Sequence, residues 1–329
     1  DGAITVRVNH SEMGQGVTTG LPTILADEME ADWAKIRFEI APVEEVYKNP
    51  AMGVQMTGGS TSTPTSWDIL RQAGAVAREM LISAAVQVLQ VPRSECRAER
   101  SRVIHSLSKK SLSYGELSAT AATIEPPKEV ILKDPQDYRL IGKSPRRLDG
   151  QQKVEGRAVY GIDVNIPGML TAIMIHPPVF GDRVEHFDEA AALAMSGVKQ
   201  VDAIETGVFV AADTFWQAVS AAENVKITWT DGGQRELSSD KLWARWKELA
   251  QNTKAKELEK RGDFSQVFST ASQTIAAASQ VPFQAHATPE PMNCTVHLEK
   301  DRARIWVPTQ MQDGAQEAVA VLTGLAYKN

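Results

Sequence analysis

Two short stretches combine residue types suited to holding an anion: Glu12-Met13-Gly14-Gln15-Gly16 and Thr57-Gly58-Gly59-Ser60-Thr61-Ser62. Their glycines allow close backbone approach, and their hydroxyls add donors. Each precedes a helix-forming run, where unpaired N–H groups and the helix dipole favour negative charge. The chemistry on offer is the binding of a phosphate-like group. The same loops would equally serve as ordinary tight turns with helix caps. Neither carries the lysine of a Walker loop, and neither follows the dinucleotide-binding GxGxxG pattern.

Gln310, in Pro308-Thr309-Gln310, follows a strand-like run and precedes a helical one. Its uncharged amide both donates and accepts, which suits a polar cofactor edge or an oxo group on a metal, or simply a surface position near a helix. The histidines, His10, His105, His176, His186, His286 and His297, show no HxxH or HxxxH pairing, so a histidine metal site is not expected. His286, beside Gln284 and Glu290, has the setting to line a site, but reads first as a hydrogen-bonded structural residue. Only two cysteines occur, Cys96 and Cys294, far from any CxxC spacing, which excludes a zinc ribbon or an iron-sulfur cluster held by this chain alone.

The elements that must position these residues are legible in part. Ile4, Val6 and Val8 alternate with polar residues, as do Ile36, Phe38 and Ile40, predicting two short strands. Between them Leu21, Leu25, Glu28 and Met29 fall at helical spacing. A helix starting near Thr18 or Thr19 would keep Pro22 in its first turn. Trp67, Leu70, Gly74, Ala77, Leu81, Ala84 and Val88 predict one face of a long helix, with Thr63 as N-cap and Pro64 as first helical residue. The small residues on that face predict a closely packed neighbour.

From residue 126 to 150 prolines and the basic trio Lys143, Arg146 and Arg147 suggest an interdomain linker. A second unit follows over 151–235. Its strand-like runs are Ala158 to Val164, Leu170 to Ile175, Lys199 to Ile204, Val208 to Ala211 and Val225 to Trp229, with a small-residue helix from Glu189 to Met195. Residues 236–329 then begin with a charged helix from Ser239 to about Arg261. They end with strands near Thr295 to Leu298 and Ala303 to Val307 and a helix from Asp313 to about Ala326. The fold class is therefore α+β.

The chain has 329 residues, 43% hydrophobic and 23% charged, and is neither disordered nor fibrous by composition. Its 41 acidic and 35 basic side chains give a net charge of -6 without a concentrated basic stripe, so nucleic acid is not an expected partner. No apolar run of about 18 residues suggests a membrane span, and the chain is expected to be soluble. Its first residue is Asp1, no leader precedes it, and it is read as part of a longer translation product.

Taken together, the motifs resemble the large, molybdenum-binding subunit of the xanthine oxidase family, in the branch of isoquinoline 1-oxidoreductase and membrane-associated aldehyde dehydrogenases. The resemblance rests on Ser11 to Gly16, Gly58 to Ser62 with Trp67, Lys153 to Gly161, Pro167 to Leu170, His286-Ala287 with Glu290 to Cys294, and Pro308-Thr309-Gln310. It runs through nearly the whole chain in order. It implies molybdenum-cofactor-binding domain portions at 1–125 and 236–329, flanking an α/β-hammerhead domain at 151–235.

The cofactor so implied is molybdopterin cytosine dinucleotide. Gly14, Gln15 and Gly16 would face its pterin and dithiolene end. Gly58, Gly59, Ser60, Thr61 and Ser62 would hold the pyrophosphate or pterin, and Gln310 would approach the oxo ligand of the metal. The implied activity is that of a molybdenum hydroxylase oxidising an aldehyde or an N-heterocycle with water as oxygen source.

The resemblance also implies an iron-sulfur cluster on a separate small subunit, with a c-type cytochrome beyond it, and a periplasmic or membrane-associated setting. It places the general-base glutamate beyond Asn329, in the remaining part of the large subunit, so neither Glu12 nor Glu290 is read as catalytic and this chain alone is expected to be inactive. A non-redox nucleotide- or anion-binding module, or an assembly module, is the alternative reading of the same loops. Pro289, and Asp182 after Phe180-Gly181, depart from the family pattern.

Overall fold

The computed structural model describes residues 2–251 and 256–327 and divides into two compact units, Asp1–Val164 with Ala287–Asn329, and Asn165–His286.

In the first unit strand β1 (Ile4–Val8) lies parallel to β2 (Ile36–Ile40), with Ile4 opposite Ile36 and Val8 opposite Ile40. Val6 and Val8 are buried while Thr5 and Arg7 are exposed, as the alternation requires. The connecting helix α1 (Val17–Glu28) starts one to two residues earlier than the sequence predicts, which puts Pro22 in its second turn. The proline thus removes an N–H that would otherwise bond the Thr18 carbonyl. The earlier start has a local cause in Glu12, described below.

Helix α2 (Ser62–Leu89) packs against α1 through Gly74. A Cβ there would stand 2.5 Å from the Leu25 carbonyl oxygen and 2.9 Å from Glu28 Cβ, so only glycine permits this approach. The predicted face holds at Gly74, Leu81 and Ala84. By its end the buried stripe has turned to Ile82 and Ala85, while Val88 is 51% exposed. A spacing of 3.5 residues drifts against the 3.6 of a straight helix, and over this length the drift is visible. The helix also begins at Ser62 rather than after Thr63, with Thr61 as N-cap, and Pro64 still falls within the first turn.

Strands β3 (Cys96–Glu99), β4 (Arg102–His105) and β5 (Ser111–Ser113) form an antiparallel sheet, and helix α3 (Tyr114–Ala121) opens with a Ser113/Glu116 capping box. Tyr114 and Leu117 join Val6, Ile36, Leu81 and Val103 in the principal core. The following extended chain is fixed to α1 by two buried carboxylates. Asp27 accepts the N–H groups of Arg139, Leu140 and Ile141 and is 2.7 Å from Lys133 Nζ. Glu28 accepts the Lys133 N–H at 3.1 Å and is 2.7 Å from Arg71 Nε on α2. A short helix α4 (Gly150–Val154) follows.

The predicted strand at Ala158 to Val164 does not form. Only a 3-10 turn at Gly161–Asp163 is present, stitched by Tyr160 N–H to the Asp163 carboxylate and by Ile162 N–H to Glu290. Gly161 abuts Asn293 and Pro308 so closely that a Cβ would lie 2.6 Å from Asn293 Oδ1.

The second unit contains β6 (Thr171–Ile175), β7 (Val184–Asp188), α5 (Ala190–Leu193), β8 (Val198–Ile204), β9 (Gly207–Ala212), α6 (Phe215–Ala222) and β10 (Lys226–Trp229). The antiparallel sheet β6-β9-β8 buries Val201, Val208 and Val210 against Ala192 and Ala221, and β10 pairs with β7. Asp182 is buried and accepts the N–H of Gly232 at 2.8 Å, which fixes that turn. The charged helix α7 (Ser239–Ala250) is shorter than predicted: it stops at Ala250, residues 252–255 lie outside the described residues, and 256–262 are irregular. Beyond Leu249 the run offers Leu258 alone, 90% exposed, to anchor further turns. Helix α8 (Phe264–Thr270) was not legible in the sequence.

The chain then returns to the first unit with the antiparallel pair β11 (Thr295–Leu298) and β12 (Ala303–Trp306) and helix α9 (Gln312–Thr323). Gly324, at φ 71°, ends α9 before the predicted Ala326.

Candidate functional site

Three segments distant in sequence meet around Thr57, all within the first unit. The Thr57 N–H donates to the Gln310 carbonyl at 2.8 Å, and Gln310 Nε2 returns a bond to the Thr57 carbonyl at 2.8 Å. Thr57 Oγ1 accepts the Ser11 N–H at 2.8 Å and lies 3.4 Å from His10 Nδ1, while the Ser11 hydroxyl donates to the Thr309 carbonyl. Next to this pair Met56 bridges to Met311, and Asp313 accepts the N–H of Gln55 at 2.8 Å. The motif segments 10–16, 55–62 and 309–313 are thereby one structural cluster.

His10 is fully buried, and its Nε2 has no hydrogen-bond partner. Burial pushes its basicity below the ordinary histidine value, only partly offset by the Met56 backbone, so the ring is neutral near pH 7. From the sequence His10 is not read as a site residue, and Thr57 is read only as the first residue of the second anion loop. The available signal was position: His10 stands at a buried strand end, and Thr57 opens a glycine-rich loop.

The first loop is closed from within. The Glu12 carboxylate accepts the N–H groups of Gly14, Gly16 and Thr18 at 2.8, 2.9 and 3.1 Å, and the Thr18 hydroxyl at 2.8 Å. Gly14 and Gly16 have φ 101° and 87°, left-handed values that glycine accepts freely. Burial raises the Glu12 carboxyl, but the donors of Gly16, Thr18 and Gly14 outweigh it and hold the group below the usual carboxylate range. Gln15 is folded onto its own loop, accepting the Met13 N–H and donating to the Ser11 carbonyl.

The second loop is open. Gly59 and Ser60 have φ 61° and 55°, and Thr61 is committed to structure, donating to the Gly58 carbonyl and accepting from the buried Asn49. Among the described residues, the N–H groups of Gly58, Gly59, Ser60, Ser62 and Thr63 have no protein acceptor, nor do the hydroxyls of Ser60, Ser62 and Thr63 donate. His286 is exposed and belongs to the second unit, and Glu290 accepts from Ile162 N–H and Asn293. Cys96 is buried, Cys294 exposed, and both thiols are free.

Residues 1–164 match the family model of the molybdopterin cofactor-binding domain. Over 99% of its length the chain is 30% identical to the beta subunit of isoquinoline 1-oxidoreductase from Brevundimonas diminuta, covering 47% of that protein. The chain belongs to the molybdenum-binding subunits of the xanthine oxidase family. It is also 34% identical, over 77% of its length, to the membrane-bound aldehyde dehydrogenase (pyrroloquinoline-quinone) of Gluconacetobacter polyoxogenes, covering 34% of it. With a nicotinate dehydrogenase subunit of Pseudomonas putida the identity is 28% over 94% of this chain and 26% of the relative. The chain thus spans half or less of the length of the curated relatives it matches.

The residues present fit such a cofactor at its anionic part. The unclaimed N–H and hydroxyl groups of residues 58–63 are donors for phosphate oxygens, and the orphan Nε2 of the buried His10 is a further polar atom in the cluster. At Gly58 and Gly59 a Cβ would come within 3.1 and 3.2 Å of Met56 and Met52 Cε. Among the described residues no three of His, Cys, Asp or Glu converge in a metal-binding arrangement.

Proposed function

We infer that this chain is the cofactor-holding part of a molybdenum hydroxylase that oxidises an aldehyde or an N-heterocycle, with water as oxygen source. The observation that carries this is the convergence of three family motifs on Thr57, beside a loop in which, among the described residues, the N–H groups of 58–60, 62 and 63 have no protein acceptor. Gly58, Gly59, Ser60 and Ser62, with Thr63, would bind pyrophosphate oxygens of a cytosine dinucleotide form. Thr61 holds the loop through Asn49. Gly14, Gln15 and Gly16 would border the pterin end, and the amide of Gln310 orients the Thr57 segment beside it. When bound, the cofactor supplies the metal centre at which an electrophilic carbon is hydroxylated and two electrons are removed.

The names of the relatives support the substrate classes, since they include an isoquinoline oxidoreductase, an aldehyde dehydrogenase and a nicotinate dehydrogenase. Two of these relatives are named as subunits of larger enzymes, which supports a heteromer. In that heteromer a small iron-sulfur subunit takes the electrons, with a c-type cytochrome following and a periplasmic location. In this reading the second unit contains the α/β-hammerhead domain, and the remainder of the large subunit contributes the general base.

The test is analysis of the complete protein purified with its partners. About one molybdenum per large subunit, with cytosine nucleotide released on hydrolysis, is the expected result. A protein that oxidises aldehydes while holding pyrroloquinoline quinone and no molybdenum would overturn the assignment, as would an anion-binding protein without redox activity.

A further inference from the structure

The two glycine-rich loops differ in one respect: the first already contains an anion, and that anion belongs to the chain. Glu12 receives two hydrogen bonds from Gly14 and Gly16 N–H on Oε1, and two from the Thr18 N–H and hydroxyl on Oε2. A fifth comes from Arg147 Nη2, 3.1 Å from Oε1. The carboxylate is 12% exposed. Gly16, the N-cap of α1, has no side chain with which to satisfy the first turn, and Glu12 does so from four positions upstream.

The arrangement is tied to a second stretch of chain. Arg147 also donates from Nη1 to the Gly14 carbonyl at 2.9 Å, and forks onto Asp149 at 2.9 and 2.8 Å. Asp149 in turn holds Lys153, and the Leu148 N–H donates to Thr19 Oγ1 at 3.1 Å. The loop is therefore fixed at its floor by Glu12 and at its edge by Arg147.

We propose that Glu12 is an internal anion that fills the N–H cradle of residues 14–18 and positions Gln15, so that an external phosphate is bound by residues 58–63 alone. A phosphate cannot share the cradle: its donors are taken, and a second negative charge beside a largely enclosed carboxylate is repelled. The assignment of the second loop rests on the cofactor reading above, whereas the role of Glu12 does not. Glu12 is a positioning residue, acting through the backbone on Gln15, whose side chain is held by Ser11 and Met13 within the same turn.

The experiment is anion rescue of Glu12→Ala in the complete protein with its partners. Removing the carboxylate should speed amide exchange at Gly14, Gly16 and Thr18 by about 10- to 100-fold, the range of one charge-assisted hydrogen bond. Acetate or inorganic phosphate should restore slow exchange and raise the Tm in Glu12→Ala, and do neither at these amides in the wild type. Absence of rescue by both anions, or an equal anion-induced slowing of exchange at these amides in the wild type, overturns the proposal. Should Glu12→Ala fail to fold, Glu12→Gln keeps one of the two acceptor oxygens, and intermediate exchange rates at the three amides are expected; wild-type rates would overturn it.

Molybdenum content of the same samples separates the two readings. Rescue in a protein that never holds molybdenum leaves Glu12 assigned and sinks the cofactor reading. Full molybdenum content without rescue does the reverse.

Discussion

Thr57 and Gln310 bind each other twice, through the Thr57 N–H to the Gln310 carbonyl and through Gln310 Nε2 to the Thr57 carbonyl, both at 2.8 Å. The amide of Gln310 is thus spent on a strand-like pairing between segments 253 positions apart. Gln310→Leu keeps most of the volume and loses this donor, at a cost of about 0.5–1.5 kcal/mol. The expected outcome is reduced molybdenum per chain with near-normal turnover per molybdenum. A fully loaded variant whose kcat drops by about 100-fold would instead place the amide on the reacting group.

The open loop should be sensitive to bulk. Gly59 has φ 61°, where a β-branched side chain costs about 1–2 kcal/mol, and its Cβ would press on Met52. Gly59→Val is expected to lower molybdenum content by far more than its change in Tm accounts for, because the strain falls on the loop and not on the core. Ser60, at φ 55°, offers the converse: Ser60→Gly relieves backbone strain and should raise the Tm slightly while cofactor retention falls with the lost hydroxyl. Metal analysis alongside thermal melting of the complete protein reads both effects.

Helix contact predicts a sign reversal. In an exposed helix Gly→Ala stabilises by about 0.5–1 kcal/mol. At Gly74 the added methyl would stand 2.5 Å from the Leu25 carbonyl oxygen, so Gly74→Ala should destabilise by about 1–3 kcal/mol as α1 and α2 separate. The denaturation midpoint with an unchanged m-value is the measurement; a midpoint that rises would show that the helices have room to give.

Acid should act in two stages. His10 is held neutral by burial, so its contribution is present above the ordinary histidine value, about 6.5, and falls away as pH drops below it while the unfolded chain takes up a proton. Asp27 and Glu12 follow the carboxylate rule. Burial raises Asp27, but Lys133 and the N–H groups of Ile141, Leu140 and Arg139 bring it below its usual range. Its contribution is therefore complete above about pH 4 and is lost as pH falls through the depressed folded value. Tm measured from pH 8 to pH 3 should show both declines. His10→Gln should flatten the upper one and Asp27→Asn the lower.

Much of the local structure was determined by the sequence alone, because it depends on neighbours a few residues apart. Alternation at Ile4, Val6 and Val8 defined β1, and the 3–4 spacing around Gly74, Leu81 and Ala84 defined α2 and its need for a close neighbour. The motifs carried the family, since the order of Gly14-Gln15-Gly16, Gly58 to Ser62 and Pro308-Thr309-Gln310 is itself sequence.

What the tertiary structure decided is which loop groups remain free. Composition makes the two loops look alike, since each has glycines, polar side chains and a following helix. Only in three dimensions does Glu12 turn back onto Gly14, Gly16 and Thr18 with Arg147 behind it, while the N–H groups of residues 58–60, 62 and 63 keep no such partner. The pairing of Thr57 with Gln310 was equally out of reach, because a hydrogen bond across 253 positions leaves no periodic trace. The missing strand at Ala158 to Val164 has the same cause: its residues have strand character, but strands need an edge, and Gly161 meets Asn293 and Pro308 instead.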